Sequence, residues 1–197
     1  MKRSTACLCA GLILTLAGCL APRTVIPTRY YTLNPQMTVA AADPLKKSLG
    51  YRPLDVAQPY DRRMAYISEN HMLGYRDGEE WSVKPGEAVT QALADALAAS
   101  RHFQDVGNAA EMGPPDLMLT GKVRKFHENR THSSWTAELE IRLELRDVSG
   151  NSCLWADTLH AEVPLERGKT ANALAAAMSQ AISQVIQQAV AAMVKAI

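Results

Sequence analysis

Cysteine, histidine and glutamate side chains decide which reactions this 197-residue chain could carry. Four cysteines are present, at Cys7, Cys9, Cys19 and Cys153. Cys19 follows Leu16-Ala17-Gly18, small neighbours that leave the backbone open to a peptidase, and its sulfur is a nucleophile open to modification. Cys153 stands alone in a strand-like segment, where a buried, inert thiol is expected. His127 and His132 flank a polar stretch with no cysteine or carboxylate at a familiar ligand spacing. They read as solvated loop residues, and no metal is expected. Glu138, Glu140 and Glu144 alternate with arginines, which suits cross-strand pairing or a partner surface better than acid–base catalysis. There is no G-x-S-x-G, no H-E-x-x-H and no phosphate-binding glycine loop. No catalytic residue and no cofactor is therefore expected. Trp81 sits between Glu79-Glu80 and Pro85. It either covers the start of a helix or stands exposed as an anchor for a partner.

The elements that must hold these residues follow from periodicity. Trp135 to Arg146 alternates apolar and polar side chains, the mark of a strand with one buried and one wet face. Leu117 to Phe126 before it and Cys153 to Val163 after it are strand-like, with a turn at Ser149-Gly150-Asn151, so an antiparallel meander of three strands is expected. Arg29 to Leu33 and Ser48 to Ala57 are further strand candidates, with Gln36 to Lys47 a loop between them. Met64 to Ile67 and His71 to Tyr75 form a hairpin, and Arg76-Asp77-Gly78 reads as a turn. Pro85 suits a first helical turn, and Val89, Ala92, Leu93, Ala96 and Leu97 share one face up to Ser100. Phe103 to Val106 is a short strand. Thr170 to Ile197 lacks proline and glycine and places Leu174, Met178, Ile182, Val185, Ile186, Val190 and Met193 on one stripe. The expected fold is α+β, two-layered, with a mostly antiparallel sheet and two main helices packed on one face.

The first residues address the chain to a membrane. Lys2 and Arg3 precede an uncharged run from Ala6 to Ala17, the layout of a secretion signal. The run is about 18 Å long as a helix, short of the about 20 residues a membrane span needs. Residues 1–18 are expected to be removed, 19–28 to act as a tether with Pro22 and Pro27, and 29–197 to form one domain. Fully extended, the tether reaches about 30 Å, enough to hold the domain clear of lipid headgroups. Losing Lys2 and Arg3 takes the 21 basic residues to 19 against 20 acidic ones, and no basic stripe suggests nucleic acid.

Leu16-Ala17-Gly18-Cys19 resembles the lipobox of bacterial lipoproteins. That resemblance implies a diacylglycerol on the Cys19 sulfur and an acylated new amine, which together anchor stably. Leu20 in place of aspartate implies the inner leaflet of the outer membrane. A wider resemblance lies in Tyr30-Tyr31-Thr32-Leu33, Arg52-Pro53-Leu54-Asp55-Val56, Pro59-Tyr60-Asp61, Met64-Ala65-Tyr66, Leu73-Gly74-Tyr75, Trp81, Pro85, Ser100 and Phe103. Together they resemble the ABC-type transport auxiliary lipoproteins, including PqiC-like members. The resemblance implies a non-enzymatic accessory of an ABC transport system that moves lipids between the membranes. It would dock the periplasmic MCE-domain protein, which belongs with an ABC permease and ATPase, as a homo-oligomeric ring. Tyr75 and Trp81 are its candidate partner-interface residues. A lipid-binding or assembly-factor lipoprotein acting without a transporter is the alternative; it requires a large apolar cavity between helix and sheet.

Overall fold

A computed structural model describes residues 27–41, 43–131, 134–166 and 168–197. The expected signal segment, Cys19, His132 and most of the tether lie outside the described residues. The elements run β1 (Arg29–Tyr31), β2 (Leu45–Tyr51), β3 (Asp55–Val56), β4 (Arg63–Ser68), β5 (Leu73–Trp81), α1 (Pro85–Ser100), β6 (Phe103–Asn108), β7 (Leu117–Thr131), β8 (Ser134–Asp147), β9 (Ser152–Pro164) and α2 (Ala171–Ala196).

The two helices form as their patterns require. Pro85 opens α1, where its missing N–H costs nothing, and Arg101 closes it in a left-handed conformation at φ 54°. The Thr170 hydroxyl oxygen caps α2 by accepting from the Ala173 N–H at 3.2 Å. The stripe from Leu174 to Met193 is buried, and α2 lies on β8 and β9 while α1 lies over β6 beside α2. Ala137, Leu139, Ile141, Leu143 and Leu145 of β8 are all wholly buried beneath this layer. The buried side chains of α2, β8 and β9 belong to one core cluster.

The fold is α+β, with an open mixed sheet organised around β7. One edge of β7 pairs antiparallel with β8, which pairs antiparallel with β9, the expected meander. Its other edge takes β2, β3 and β4 in succession, all parallel. The parallel pairings of β1 with β5 and β2 with β6 add to these, so the sheet is more mixed than alternation alone suggested. Parallel partners come from distant segments, and no local turn announces them.

Three segments differ from expectation. β7 continues to Thr131, five residues past Phe126. A bulge between Val123 and Lys125 shifts the alternation, so Val123 and Phe126 both face the core. Arg76-Asp77-Gly78 is no turn but a bulge inside β5: Arg63 pairs with Glu80 and Ala65 with Tyr75, so two steps on β4 oppose five on β5. Gly78 meets the bend with φ 64°, a conformation that favours glycine. The expected loop from Gln36 to Lys47 ends early, because β2 starts at Leu45; before it the chain runs as an irregular strap whose Leu33, Met37 and Val39 pack against the core. The Asn34 N–H donates to Ser179 Oγ at 3.0 Å and Gln187 Nε2 donates to the Thr38 carbonyl at 3.3 Å, tying the strap to α2.

Candidate functional site

Polar side chains gather in two places, one on each face of the sheet. On the face away from the helices, Tyr60, His127 and Glu138 form a chain. The Tyr60 hydroxyl lies 2.9 Å from His127 Nδ1, and His127 Nε2 lies 3.0 Å from Glu138 Oε2. In a neutral ring that donates Nε2–H to Glu138, Nδ1 is left to accept from Tyr60. The Tyr60 and His127 rings stack at 5.6 Å. Glu138 also accepts from Lys125 Nζ at 2.8 Å and lies 3.2 Å from His160 Nε2. Lys125 and Arg124 in turn reach Glu140.

The spacing of tyrosine, histidine and carboxylate looks like nucleophile, base and orienter. The electrostatics oppose that role. Burial, then the negative charge of Glu138, raises the Tyr60 pKa, so the phenol stays protonated. The hydrogen bond from His127, helped by Lys125 and resisted by burial, pulls Glu138 down to about 2. What results is a charge-balanced surface joining β7, β8, β9 and the segment before β4.

Tyr75 lies on this face beside that chain. Its hydroxyl donates to the Pro59 carbonyl at 3.3 Å, and the Arg63 guanidinium covers its ring at 3.7 Å. It is half-buried, with a partly open ring. Trp81 is different: the structure corrects the reading of it as an exposed anchor. It is 2 % exposed and meets Phe126 edge-on at 5.5 Å, at the end of β5 shortly before α1 begins. A partner cannot reach it.

The second cluster lies on the helix-side face near the start of α2. Glu128 is wholly buried there and receives Arg76 Nε at 2.9 Å and Nη2 at 2.8 Å. Arg130 adds Nε at 3.0 Å and Nη2 at 2.9 Å to the same carboxylate. Burial works against charge on Arg76, and the hydrogen bonds to Glu128 and Glu79 outweigh it, raising its pKa. The Arg130 guanidinium lies 3.5 Å over the Tyr66 ring and 4.4 Å from Trp135, and Lys169 Nζ lies 4.6 Å from Trp135.

Two sequence expectations change here. His127 is buried in a strand rather than solvated in a loop, because β7 runs on through it. Cys153 is exposed rather than buried, because it is the second residue of β9, next to the exposed β8–β9 turn. The sequence offers Tyr60 only as part of the family resemblance and Glu128 not at all: one sits in an irregular segment and the other looks like a wet-face residue until the bulge is known. Among the described residues no group of histidine, cysteine, aspartate and glutamate is arranged to hold a metal. No helix among them is long and apolar enough to cross a membrane.

Residues 31–190 match the family described as the ABC-type transport auxiliary lipoprotein component. The chain belongs to that family. No curated protein matches it. Among solved structures, this auxiliary lipoprotein resembles a protein from Xanthomonas campestris at 20 % identity, with a TM-score of 0.78 over 86 % of this chain and 96 % of that one. It also resembles a hypothetical protein from Chlamydia trachomatis at 11 % identity, with a TM-score of 0.56 over 76 % of this chain and 96 % of the other. At such identities the auxiliary lipoprotein shares their fold, and its function is argued from its own residues.

Proposed function

We propose that this auxiliary lipoprotein is held at the periplasmic face of the outer membrane through acylated Cys19. There it docks the periplasmic MCE-domain component of an intermembrane lipid transporter. The observation that carries the reading is the family match across residues 31–190. Its part is to hold, not to catalyse: among the described residues, the Tyr60–His127–Glu138 chain, spaced like a catalytic set, has its phenol pushed away from reactivity. The docking face is the sheet surface opposite the helices, where Tyr75, Arg63, Tyr60 and the Glu138 network offer aromatic rings and paired charges. Packing between α2 and the sheet gives no support to the alternative, a lipid carrier with an internal cavity. Self-association into a ring is a further expectation of the family reading.

Affinity purification of the tagged protein from detergent-solubilised membranes, followed by mass spectrometry, tests this. Recovery of an MCE-domain protein with an ABC permease supports it. Recovery of lipid alone, or of outer-membrane proteins alone, contradicts it.

A further inference from the structure

The chain enters the domain from one particular end. β1 runs parallel to β5, with Arg29 beside Glu79 and Tyr31 beside Trp81. Followed backwards from Arg29, the chain therefore heads toward the start of β5, the tip of the β4–β5 hairpin. From the Arg63–Glu80 pair to the Ile67–Leu73 pair is four steps of β4, about 13 Å. Nine residues separate Arg29 from Cys19, at most about 30 Å of chain. The tether thus clears the hairpin tip by no more than about 17 Å even at full stretch. The headgroup zone of one leaflet is about 5–7 Å deep, so about 10 Å of slack in the tether brings the tip into it.

The same end carries side chains suited to that layer. Met72 is 65 % exposed and Leu73 42 % exposed, two of the few large apolar residues left open. Ser68 pairs with Arg130, and Arg130 pairs with Trp135, so the hairpin tip and the Trp135 cluster lie at one level. Trp135 is half-buried, with Arg130 and Lys169 facing its ring. Apolar tips, an amphipathic indole and flanking cations are what a membrane interface selects. The opposite end holds Val148 in the β8–β9 turn, about 44 Å away along β8.

We propose that the β4–β5 hairpin tip, with Met72 and Leu73, seats in the phospholipid headgroup layer of the membrane that holds Cys19, and that Trp135, Arg130 and Lys169 flank the contact. This rests on the anchor reading of Cys19. It replaces the expectation of a domain held clear of the lipid with one whose orientation is fixed by contact.

The test uses full-length acylated protein with Cys153→Ser, because Cys153 is exposed. An environment-sensitive fluorophore is placed at Met72→Cys or Val148→Cys, and the protein is reconstituted in phosphatidylethanolamine–phosphatidylglycerol vesicles carrying a lipid-borne quencher. The expected result is a blue-shifted emission at 72, quenched several-fold more than emission at 148. Flotation with the vesicles and equal quenching at both positions overturns the seating but leaves the anchor intact. A blue shift at 72 that lipid quenchers do not reduce means a protein contact and overturns it too. Protein that does not float overturns the anchor and the seating together.

Discussion

Glu128 of β7 and Arg76 in the bulge of β5 meet in a two-pronged ion pair across the intervening β4, with the carboxylate wholly buried and the guanidinium side chain 9 % exposed. The bulge turns Arg76 toward β7, and Arg130 takes the remaining approach to the same carboxylate. Removing Glu128's charge leaves two cations facing each other, with only Glu79, 3.2 Å from Arg76, as a counter-charge. Glu128→Gln is expected to destabilise the domain by about 3–5 kcal/mol. Chemical denaturation of the two proteins side by side measures this, and a loss below about 1 kcal/mol would show that water already screens the pair.

Glu138 links acid stability to the opposite face. Its folded pKa lies below the ordinary 4.5, at about 2, so it favours the folded state above pH 4.5 and that stabilisation is lost as pH falls toward 2. The expected contribution is about 1–2 kcal/mol, less than the full shift because water reaches Lys125 and His160 beside it. Glu138→Gln should flatten the fall in melting temperature between pH 4.5 and 2. An unchanged acid profile would place the sensitivity elsewhere.

Trp81 and Tyr75 should separate stability from docking. Trp81→Ala opens a cavity beside Phe126 and is expected to cost about 3–5 kcal/mol. Tyr75→Ala removes a partly open ring and is expected to shift the melting temperature little while weakening partner capture several-fold. Thermal melts and pull-downs on both variants check the pair; equal capture by Tyr75→Ala and the native protein would remove Tyr75 from the interface.

Gly74 leaves room for the Tyr66 ring, and a Cβ there would collide with that ring. Gly74→Ala should push Tyr66 from beneath Arg130 and cost about 1–3 kcal/mol. Circular dichroism melts measure it, and a neutral substitution would mean that Tyr66 moves without loss.

Both helices and the three long strands were legible because each buries one face, and burial writes its period into the sequence. β8 shows this most clearly, with five alternating apolar residues from Ala137 to Leu145 all wholly buried. The end of β7 was not legible. There a bulge shifts the phase, and the core-side position goes to Glu128, whose charge is neutralised by arginines from two segments. The pairing of Tyr60 with His127 was not legible for a similar reason: it depends on how a segment before β4 meets β7, a non-local contact. Trp81 could be read as core or as anchor, and only its place behind Phe126 decides between them.

The most direct test of docking is a photo-crosslinking residue at Tyr75, compared with one at Gln188, exposed on α2, in native membranes. The account predicts an adduct between position 75 and an MCE-domain protein, with little at position 188. Adducts from position 75 to lipid or to β-barrel proteins alone, or an MCE-domain adduct only from position 188, would contradict it.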